Sequence, residues 1–299
     1  MYDVIIIGSG PAGMAAAIYA ARACLRTLLL ERQPMGGGQI LNSSDVDNYP
    51  GIPDISGFEL GQKLMEHMNK LGIRQVTEEV IRLDCMGEVK RVVTANAEYE
   101  AKNLIYAAGA GHRKLGAAGE ERLAGMGVSY CATCDGAFFR GKTAAVVGGG
   151  DVALEDALFL AKLCKKVWLI HRRDTFRGAK TLEERVRAAE NVELVLEAVV
   201  ESIDGDEKVE GLTLRRKGSG TKEKLATDAV FIAVGMTPHT DLIKDQVETD
   251  ENGYIIAGEN CRTNRKGVYA AGDVRTKALR QIITAACDGA NAVADLITV

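Results

Sequence analysis

The chain opens with an apolar stretch that is followed by a glycine-rich turn. Val4–Ile7 is a β-branched run, which is typical of a buried parallel strand. Gly8–Gly13 then reads G-x-G-x-x-G, and an alanine-rich stretch with helical character extends to about Cys24. A second apolar strand is predicted at Thr27–Leu30, and it ends at Glu31. The order of strand, glycine turn, helix, strand and acidic residue indicates a Rossmann-like dinucleotide-binding unit.

Each part of this unit has a physical task. The first glycine permits a tight turn, the second lets a pyrophosphate approach the backbone, and the third allows the helix to pack closely on the strand. Unpaired N–H groups at the helix N-terminus face the phosphates. Glu31 follows Gly13 by 18 residues, near the spacing of about 20 expected for a carboxylate that binds ribose hydroxyls. We therefore expect the first unit to bind a dinucleotide with a free 2′-hydroxyl.

The same pattern recurs in the middle of the chain. Thr143–Val147 predicts a strand, Gly148–Ala153 reads G-x-G-x-x-A, and Val167–Ile170 predicts the second strand. His171 stands where the first unit has its acidic residue, and three arginines follow it: Arg172, Arg173 and Arg177. Guanidinium groups bind a 2′-phosphate through charge-assisted hydrogen bonds, whereas a carboxylate would repel it. The second unit is therefore predicted to bind NADP(H).

Further apolar strands that end in glycine suggest how the units are arranged. Leu104–Gly109 and Val230–Gly235 each fall near the end of a unit, and Val268–Gly272 has no second unit left to complete. We expect this last strand to return to the first domain. The prediction is an α/β fold with two Rossmann-like dinucleotide-binding domains of three-layer ββα architecture, the second inserted into the first. The expected boundaries are residues 1–112 with 241–299 for the first domain and residues 113–240 for the second.

The composition is that of a globular protein. The 299 residues are 46% hydrophobic and 26% charged, which excludes disorder, collagen and a coiled coil. The net charge of −4 gives no reason to expect a nucleic-acid or anionic-membrane partner. The uncharged run from Val4 to Ala21 has about the length of a membrane span. Because Asp3 precedes it and glycines and a proline interrupt it, we expect no membrane segment.

The seven cysteines include one C-x-x-C pair, Cys131 and Cys134. An odd number of cysteines without a secretory signal favours a reducing compartment, so a cytoplasmic protein is expected. A zinc site would need further ligands at paired spacing, and none is present in the sequence. Two reduced structural cysteines are a second interpretation, but a dithiol/disulfide switch is favoured. Asp135 could carry a proton during exchange, or it could cap a helix.

These parts suggest a route for electrons. A nicotinamide gives two electrons as a hydride, and a flavin can accept the hydride and pass the electrons to a disulfide. FAD in the first domain and NADPH in the second would connect a nicotinamide donor to the C-x-x-C pair.

The chain resembles the low-molecular-weight bacterial and archaeal thioredoxin reductases, of the pyridine nucleotide-disulfide oxidoreductase family, over essentially its whole length. The resemblance rests on the following segments: the N-terminal glycine turn, residues 37–39, 48–51, 131–136, 148–151, 171–177, 272–274 and 280–282. The strings CATCDG and HRRDTFR are highly specific in combination.

The resemblance implies an NADPH-dependent reductase of the disulfide of thioredoxin or a thioredoxin-like protein. It implies that Cys134 faces the flavin, that Cys131 attacks the external disulfide and that Asp135 is the acid/base. It also implies a homodimer in which one domain rotates against the other. The implied FAD-binding residues are Gly8, Ser9, Gly10, Pro11, Ala12, Gly13, Glu31, Gly38, Gln39, Asn48, Asp273, Arg280, Gln281 and Ile282. The implied NADPH-binding residues are Gly148, Gly150, Asp151, Arg172, Arg173 and Arg177.

Two positions depart from the family pattern. His239 replaces the usual asparagine, and Val152 stands where a polar residue is common near the nicotinamide ribose. Some relatives lack the NADPH motifs and take electrons from ferredoxin, which is the second interpretation here. A flavin-dependent dithiol oxidase and a non-enzymatic redox sensor are further alternatives. The oxidase does not need a 2′-phosphate pocket, so the three arginines favour the reductase.

Overall fold

The computed structural model describes residues 1–43 and 46–298. The chain forms two compact units, one made of Met1–Gly111 and Thr237–Val299 and the other of His112–Met236. The strands are β1 Tyr2–Ile7, β2 Thr27–Glu31, β3 Arg74–Thr77, β4 Val80–Asp84, β5 Lys90–Thr94, β6 Glu98–Tyr106, β7 Ala110–His112, β8 Val128–Ser129, β9 Thr143–Gly148, β10 Lys166–Ile170, β11 Val192–Val195, β12 Ala198–Asp204, β13 Gly211–Arg216, β14 Lys222–Ala226, β15 Ala229–Ala233, β16 Met236–Pro238 and β17 Val268–Ala270. The helices are α1 Pro11–Arg22, α2 Gly57–Lys70, α3 Ala132–Asp135, α4 Asp151–Ala161, α5 Lys180–Ala188 and α6 Ile282–Leu296.

The first unit is built on a mixed sheet of order β3-β2-β1-β6-β5-β4, with β17 also paired to β6. The strands β3, β2, β1, β6 and β17 run parallel to one another, whereas β5 is antiparallel to both of its neighbours, β6 and β4. Side chains alternate across β1, so Val4 and Ile6 pack against residues of α1 and α6. Ile5 and Ile7 pack with Val92 of β5 on the opposite face. The run is apolar throughout because both faces are buried.

The second unit contains a parallel sheet of order β11-β10-β9-β15-β8 and a separate antiparallel sheet of order β12-β13-β14. Val146 of β9 packs with Leu154 of α4. Its neighbour Val147 packs with Leu212 of β13 on the other face of the sheet. Helices, a parallel sheet and an antiparallel sheet thus form three layers, and the predicted fold class is confirmed.

The topology fixes where ligands can bind in each unit. In a parallel sheet the carboxyl ends of all strands meet at one edge, and ligands bind outside that edge. In the first unit, the loops after β1, β2 and β17 therefore lie together. In the second unit, the loops after β9 and β10 do so.

Candidate active site

The turn after β1 combines two glycines that the fold requires with one that leaves open space. Gly8 has a φ of +96°, and a Cβ there would lie 2.5 Å from the carbonyl oxygen of Ala107. A Cβ at Gly13 would lie 1.8 Å from the carbonyl oxygen of Gly8. A Cβ at Gly10 would meet no heavy atom of the described chain within 4 Å. Gly10 is the N-cap of α1, so the open space lies at a helix N-terminus, where phosphates bind well.

Ser9 holds the acidic residue at the end of β2. Its side chain is fully buried, and its backbone N–H and its Oγ donate to Glu31 Oε2 at 2.8 and 2.7 Å. The backbone N–H of Gln33 donates to Glu31 Oε1 at 2.9 Å. The hydroxyl of Ser9 therefore positions the carboxylate.

The glycine-rich segment after β2 lies over the first turn. The backbone N–H of Gly37 donates to Ser9 O at 2.8 Å, and a Cβ at Gly38 would lie 3.3 Å from Gly10 Cα. Gln39 Nε2 donates to the carbonyl oxygen of Ala110. These contacts bring Gly38 and the first turn together.

Two of the buried polar atoms that lack a hydrogen-bond partner within residues 1–43 and 46–298 belong to predicted FAD residues. They are Oδ1 of Asp273 and Nε of Arg280. Burial raises the pKa of Asp273, while Lys277 and Arg280 oppose this effect. The guanidinium of Arg280 lies 4.2 Å from the ring centroid of Tyr254. Buried polar groups are normally satisfied, so an acceptor and a donor without partners fit a ligand with hydroxyl and phosphate groups.

The structure also joins two segments that are far apart in sequence. Asn48 Nδ2 donates to Gln281 Oε1 at 2.9 Å. Gln281 is the N-cap of α6 and forms a capping box with Thr284, and Ile282 is the first residue of that helix. Ile282 also packs against the small apolar cluster around Ile55.

The glycine turn of the second unit repeats the arrangement of the first. A Cβ at Gly148 would lie 2.4 Å from Ala233 O, whereas one at Gly150 would meet nothing within 4 Å in the described chain. Gly150 is the N-cap of α4. Asp151 Oδ1 accepts a hydrogen bond from the backbone N–H of Ala179 at 2.7 Å, so this carboxylate fixes the segment after the arginines.

His171 fills the space over the middle glycine of this turn. A Cβ at Gly149 would lie 2.1 Å from its ring, and the ring stacks on Phe176 with centroids 5.4 Å apart. Burial lowers the pKa of His171, and the neighbouring arginines lower it further. A neutral imidazole therefore replaces the carboxylate of the first unit.

The three arginines after His171 are exposed, and they form no ion pair with any residue in the described part of the chain. The backbone N–H of Arg177 donates to Gly149 O at 2.7 Å, which ties this loop to the glycine turn. Uncompensated guanidinium groups beside a nucleotide-binding turn can bind a 2′-phosphate.

Cys131 and Cys134 form a disulfide with their Cα atoms 5.3 Å apart, and both residues are half-buried at the start of α3. Ser129 connects this disulfide to the neighbouring acid. Its Oγ accepts from the backbone N–H of Cys131 at 3.1 Å and donates to Asp135 Oδ2 at 2.6 Å. Ser129 is not among the site residues predicted from the sequence, although a hydroxyl two residues before a C-x-x-C pair is a recognisable turn signal.

A buried carboxylate holds the residue that precedes Cys131. Glu120 is only 2% exposed, and it accepts hydrogen bonds from the hydroxyl of Tyr130 at 2.7 Å and from the backbone N–H groups of Leu115 and Gly116 at 3.0 and 2.7 Å. The ring of Tyr130 also stacks on His112. Burial and the bond to Glu120 raise the pKa of Tyr130. No pattern in the sequence indicates this contact, because it depends on the turn that brings Glu120 to Tyr130, ten residues further along the chain.

No cluster of three or more His, Cys, Asp or Glu side chains suited to a metal ion occurs among the residues that the structure describes. None of the described helices is both long enough and apolar enough to cross a membrane.

Comparisons with known proteins agree with this geometry. The family described as pyridine nucleotide-disulphide oxidoreductase matches residues 2–289. A thioredoxin reductase from Listeria monocytogenes is 46% identical over 290 residues, which cover 97% of this chain and 91% of that protein. One from Bacillus subtilis is 44% identical, with 97% and 92% covered.

Solved structures give the same result. A thioredoxin reductase from Streptococcus pyogenes matches with a TM-score of 0.92 at 45% identity, covering 100% of this chain and 97% of that one. A ferredoxin-flavin thioredoxin reductase from Clostridium acetobutylicum matches with a TM-score of 0.54 at 32% identity, covering 99% and 97%. The chain therefore belongs to the pyridine nucleotide-disulphide oxidoreductase family.

Proposed function

We propose that this chain is an NADPH-dependent flavoenzyme that reduces the disulfide of thioredoxin or of a thioredoxin-like protein. The observation that carries the proposal is the Cys131–Cys134 disulfide, in a chain 42–46% identical to several proteins named thioredoxin reductase. The reaction transfers two electrons and two protons from the reduced cysteine pair to the partner's disulfide.

FAD and NADPH are the cofactors that membership of the family implies. The residues of the first unit fit FAD, since Gly10 leaves space for a pyrophosphate, and Asp273 and Arg280 present buried polar atoms that have no partner among the described residues. The residues of the second unit fit NADPH, since Gly150 leaves similar space beside the three arginines, which form no ion pair within the described part of the chain. When bound, FAD supplies the ability to accept a hydride and to reduce a disulfide.

The cysteines divide the thiol chemistry between them. The thiolate of Cys131 attacks one sulfur of the partner's disulfide and forms a mixed disulfide, which releases one partner thiolate. Cys134 then attacks Cys131, which restores the internal disulfide and frees the second partner thiol. Asp135, oriented by Ser129, delivers and removes the protons that these steps require.

The three arginines favour NADPH over ferredoxin as the electron donor. A protein donor would not need guanidinium groups placed beside a nucleotide-binding turn. The same argument disfavours a dithiol oxidase that passes electrons to oxygen.

We also propose a cytoplasmic homodimer in which one domain rotates against the other, as the resemblance to the thioredoxin reductases implies. Light scattering on the flavin-loaded protein tests the dimer, since a mass near 64 kDa is twice the 32.0 kDa of one chain.

Anaerobic titration of the flavin-loaded protein tests the donor. Bleaching of the flavin absorption by NADPH at a far lower concentration than by NADH supports the proposal. If neither nucleotide bleaches a flavin that dithionite reduces, the donor is a protein or a substrate dithiol and the NADPH assignment is wrong.

Substitution of the cysteines tests the acceptor side. Cys131→Ser is expected to keep flavin reduction by NADPH and to abolish reduction of thioredoxin. Cys24→Ser, which changes an exposed cysteine outside the pair, is the matched control and should keep both activities. Normal turnover by Cys131→Ser would contradict the assignment.

A further inference from the structure

A buried cluster of charges lies beside the predicted FAD residues of the first unit. The carboxylate of Asp288, on α6, accepts hydrogen bonds from Arg275 Nε at 2.8 Å, Arg275 Nη2 at 2.6 Å and Lys277 Nζ at 2.9 Å. The backbone N–H of Gly272 donates to the same carboxylate at 2.9 Å. The side chains of the three charged residues are only 4–10% exposed.

The cluster contains one more positive than negative charge. Arg275 binds Asp288 through both of its carboxylate oxygens, and this bidentate pair is neutral as a unit. The ammonium of Lys277 is therefore a surplus buried charge, and a buried charge is unfavourable unless it is balanced. Asp273 is the nearby acid that can balance it, because it follows Gly272 directly and its Oδ1 has no hydrogen-bond partner among the described residues.

We propose that Lys277 is a positioning residue for FAD binding, which keeps Asp273 ionised so that its free Oδ1 accepts a hydrogen bond from a hydroxyl group of bound FAD. This inference rests on the proposed function, since it assumes that the first unit binds FAD. Asp288 accepts hydrogen bonds from Lys277 and from the backbone N–H of Gly272, so it fixes the ammonium group and the backbone next to Asp273.

The electrostatics of the site agree with this role. Burial raises the pKa of Asp273 above its ordinary value; the charges of Lys277 and Arg280 oppose this rise, and that of Asp288 adds to it. Removal of the ammonium of Lys277 therefore leaves Asp273 protonated up to a higher pH, and a protonated oxygen is a poorer acceptor.

The other hydrogen bonds of the cluster do not depend on Lys277. Arg275 also donates to Ala257 O at 3.1 Å and to Thr276 O at 2.9 Å, so it holds the surrounding backbone. Lys277 donates a hydrogen bond to Asp288. When Lys277 is replaced, Asp288 still accepts the two hydrogen bonds from Arg275. Lys277→Met is therefore expected to fold.

The test is a titration of the full-length apoprotein with FAD, monitored by the quenching of flavin fluorescence, from about pH 4.5, near the ordinary carboxyl pKa, to about pH 8. In Lys277→Met we expect weaker binding, with the loss of affinity on acidification beginning at a higher pH than in the wild type and approaching about tenfold per pH unit. Lys277→Arg should restore the wild-type profile.

Lys102→Met is the matched control. Lys102 belongs to the same unit and also pairs with a single carboxylate at 2.9 Å, that of Asp3, but its side chain is 61% exposed. This variant should bind FAD as the wild type does at every pH.

Asp273→Asn separates a charge effect from a structural one. In this background Lys277→Met should cause no further pH-dependent loss of FAD affinity, because the group on which Lys277 acts is gone. A loss in Lys277→Met that is equal at all pH values, or that adds fully to the effect of Asp273→Asn, would overturn the inference. An unchanged titration would also overturn it, whereas a wild-type chain that does not bind FAD would overturn the proposed function as well.

Discussion

Gly10 and Gly150 occupy equivalent positions in the two units and should have separate effects on two ligands. Each is the N-cap of the helix that follows a glycine turn, and neither has a positive φ: the values are −68° and −102°. A Cβ at either position meets no heavy atom within 4 Å in the described chain. Alanine at these positions should therefore leave the fold intact and obstruct only an incoming pyrophosphate.

The two contributions to stability nearly cancel. Replacing glycine by alanine at a compatible conformation stabilises a protein by about 0.4–1 kcal/mol, because the unfolded chain loses freedom. Alanine is a poorer N-cap than glycine, which costs roughly 0.5 kcal/mol. The melting temperature of each apoprotein variant should thus stay within about 2 °C of the wild type. Gly13→Ala, whose Cβ would lie 1.8 Å from a backbone oxygen, should not fold.

The effect on binding is larger because the added methyl group overlaps the ligand. Overpacking typically costs about 1–3 kcal/mol, which corresponds to a roughly 5- to 150-fold weaker complex. Gly10→Ala should lose affinity for FAD and Gly150→Ala affinity for NADP⁺, each with the other affinity unchanged. Calorimetric titration of the two variants with both ligands measures this. If Gly10→Ala is folded and binds FAD within about twofold of the wild type, the pyrophosphate does not approach this backbone and the reasoning fails.

Three other outcomes are expected. Arg172→Ala combined with Arg173→Ala should weaken NADPH binding by about tenfold or more through the loss of charge-assisted bonds, and equal weakening of NADH in the same titration would contradict the phosphate pocket. Ser129→Ala should slow thioredoxin reduction roughly tenfold or more, since a hydrogen bond to a charged group contributes about 1.5–3 kcal/mol. Reduction of the flavin by NADPH, followed by stopped flow, should be unchanged. A normal turnover rate would show that Ser129 does not orient Asp135. Burial lowers the pKa of three histidines: His112, His171 and His239. The unfolded chain therefore takes up protons first, and stability should fall as the pH drops below about 6.5. Melting curves of the apoprotein measure this, and a midpoint that does not fall would contradict it.

The repeated unit was predictable because its parts are local in sequence. A β-branched strand, a glycine turn and an alanine-rich helix follow one another, so periodicity and turn chemistry identify them without any long-range information. The spacing from the glycine turn and the residue type together predict that Glu31 and the arginines after His171 contact the ribose of a bound dinucleotide. The structure adds that Ser9 holds Glu31, a contact across 22 residues.

The positioning residues were not predictable in the same way. Glu120 and Asp288 are charged residues, for which the usual expectation is exposure to solvent. They are buried because several donors converge on each carboxylate. The loop at residues 272–277 supplies all of those to Asp288, and residues on both sides of Glu120 supply those to Glu120. Such convergence depends on the tertiary fold. Ser129 is an intermediate case, since its bonds to Cys131 and Asp135 are local but need the turn that only the structure shows.

The imidazole over Gly149 has a consequence for attempts to exchange coenzyme preference. The two units share one arrangement of elements, yet a glutamate substituted for His171 would not reproduce the role of Glu31. The place is closed by a ring that is 6% exposed and stacked on Phe176, and a glutamate there would be a buried anion next to a cavity. A redesign for NADH therefore has to rebuild the loop from residue 171 to residue 177 as a whole. The two units share one arrangement of strand, glycine turn and helix, but their packing makes them non-interchangeable residue by residue.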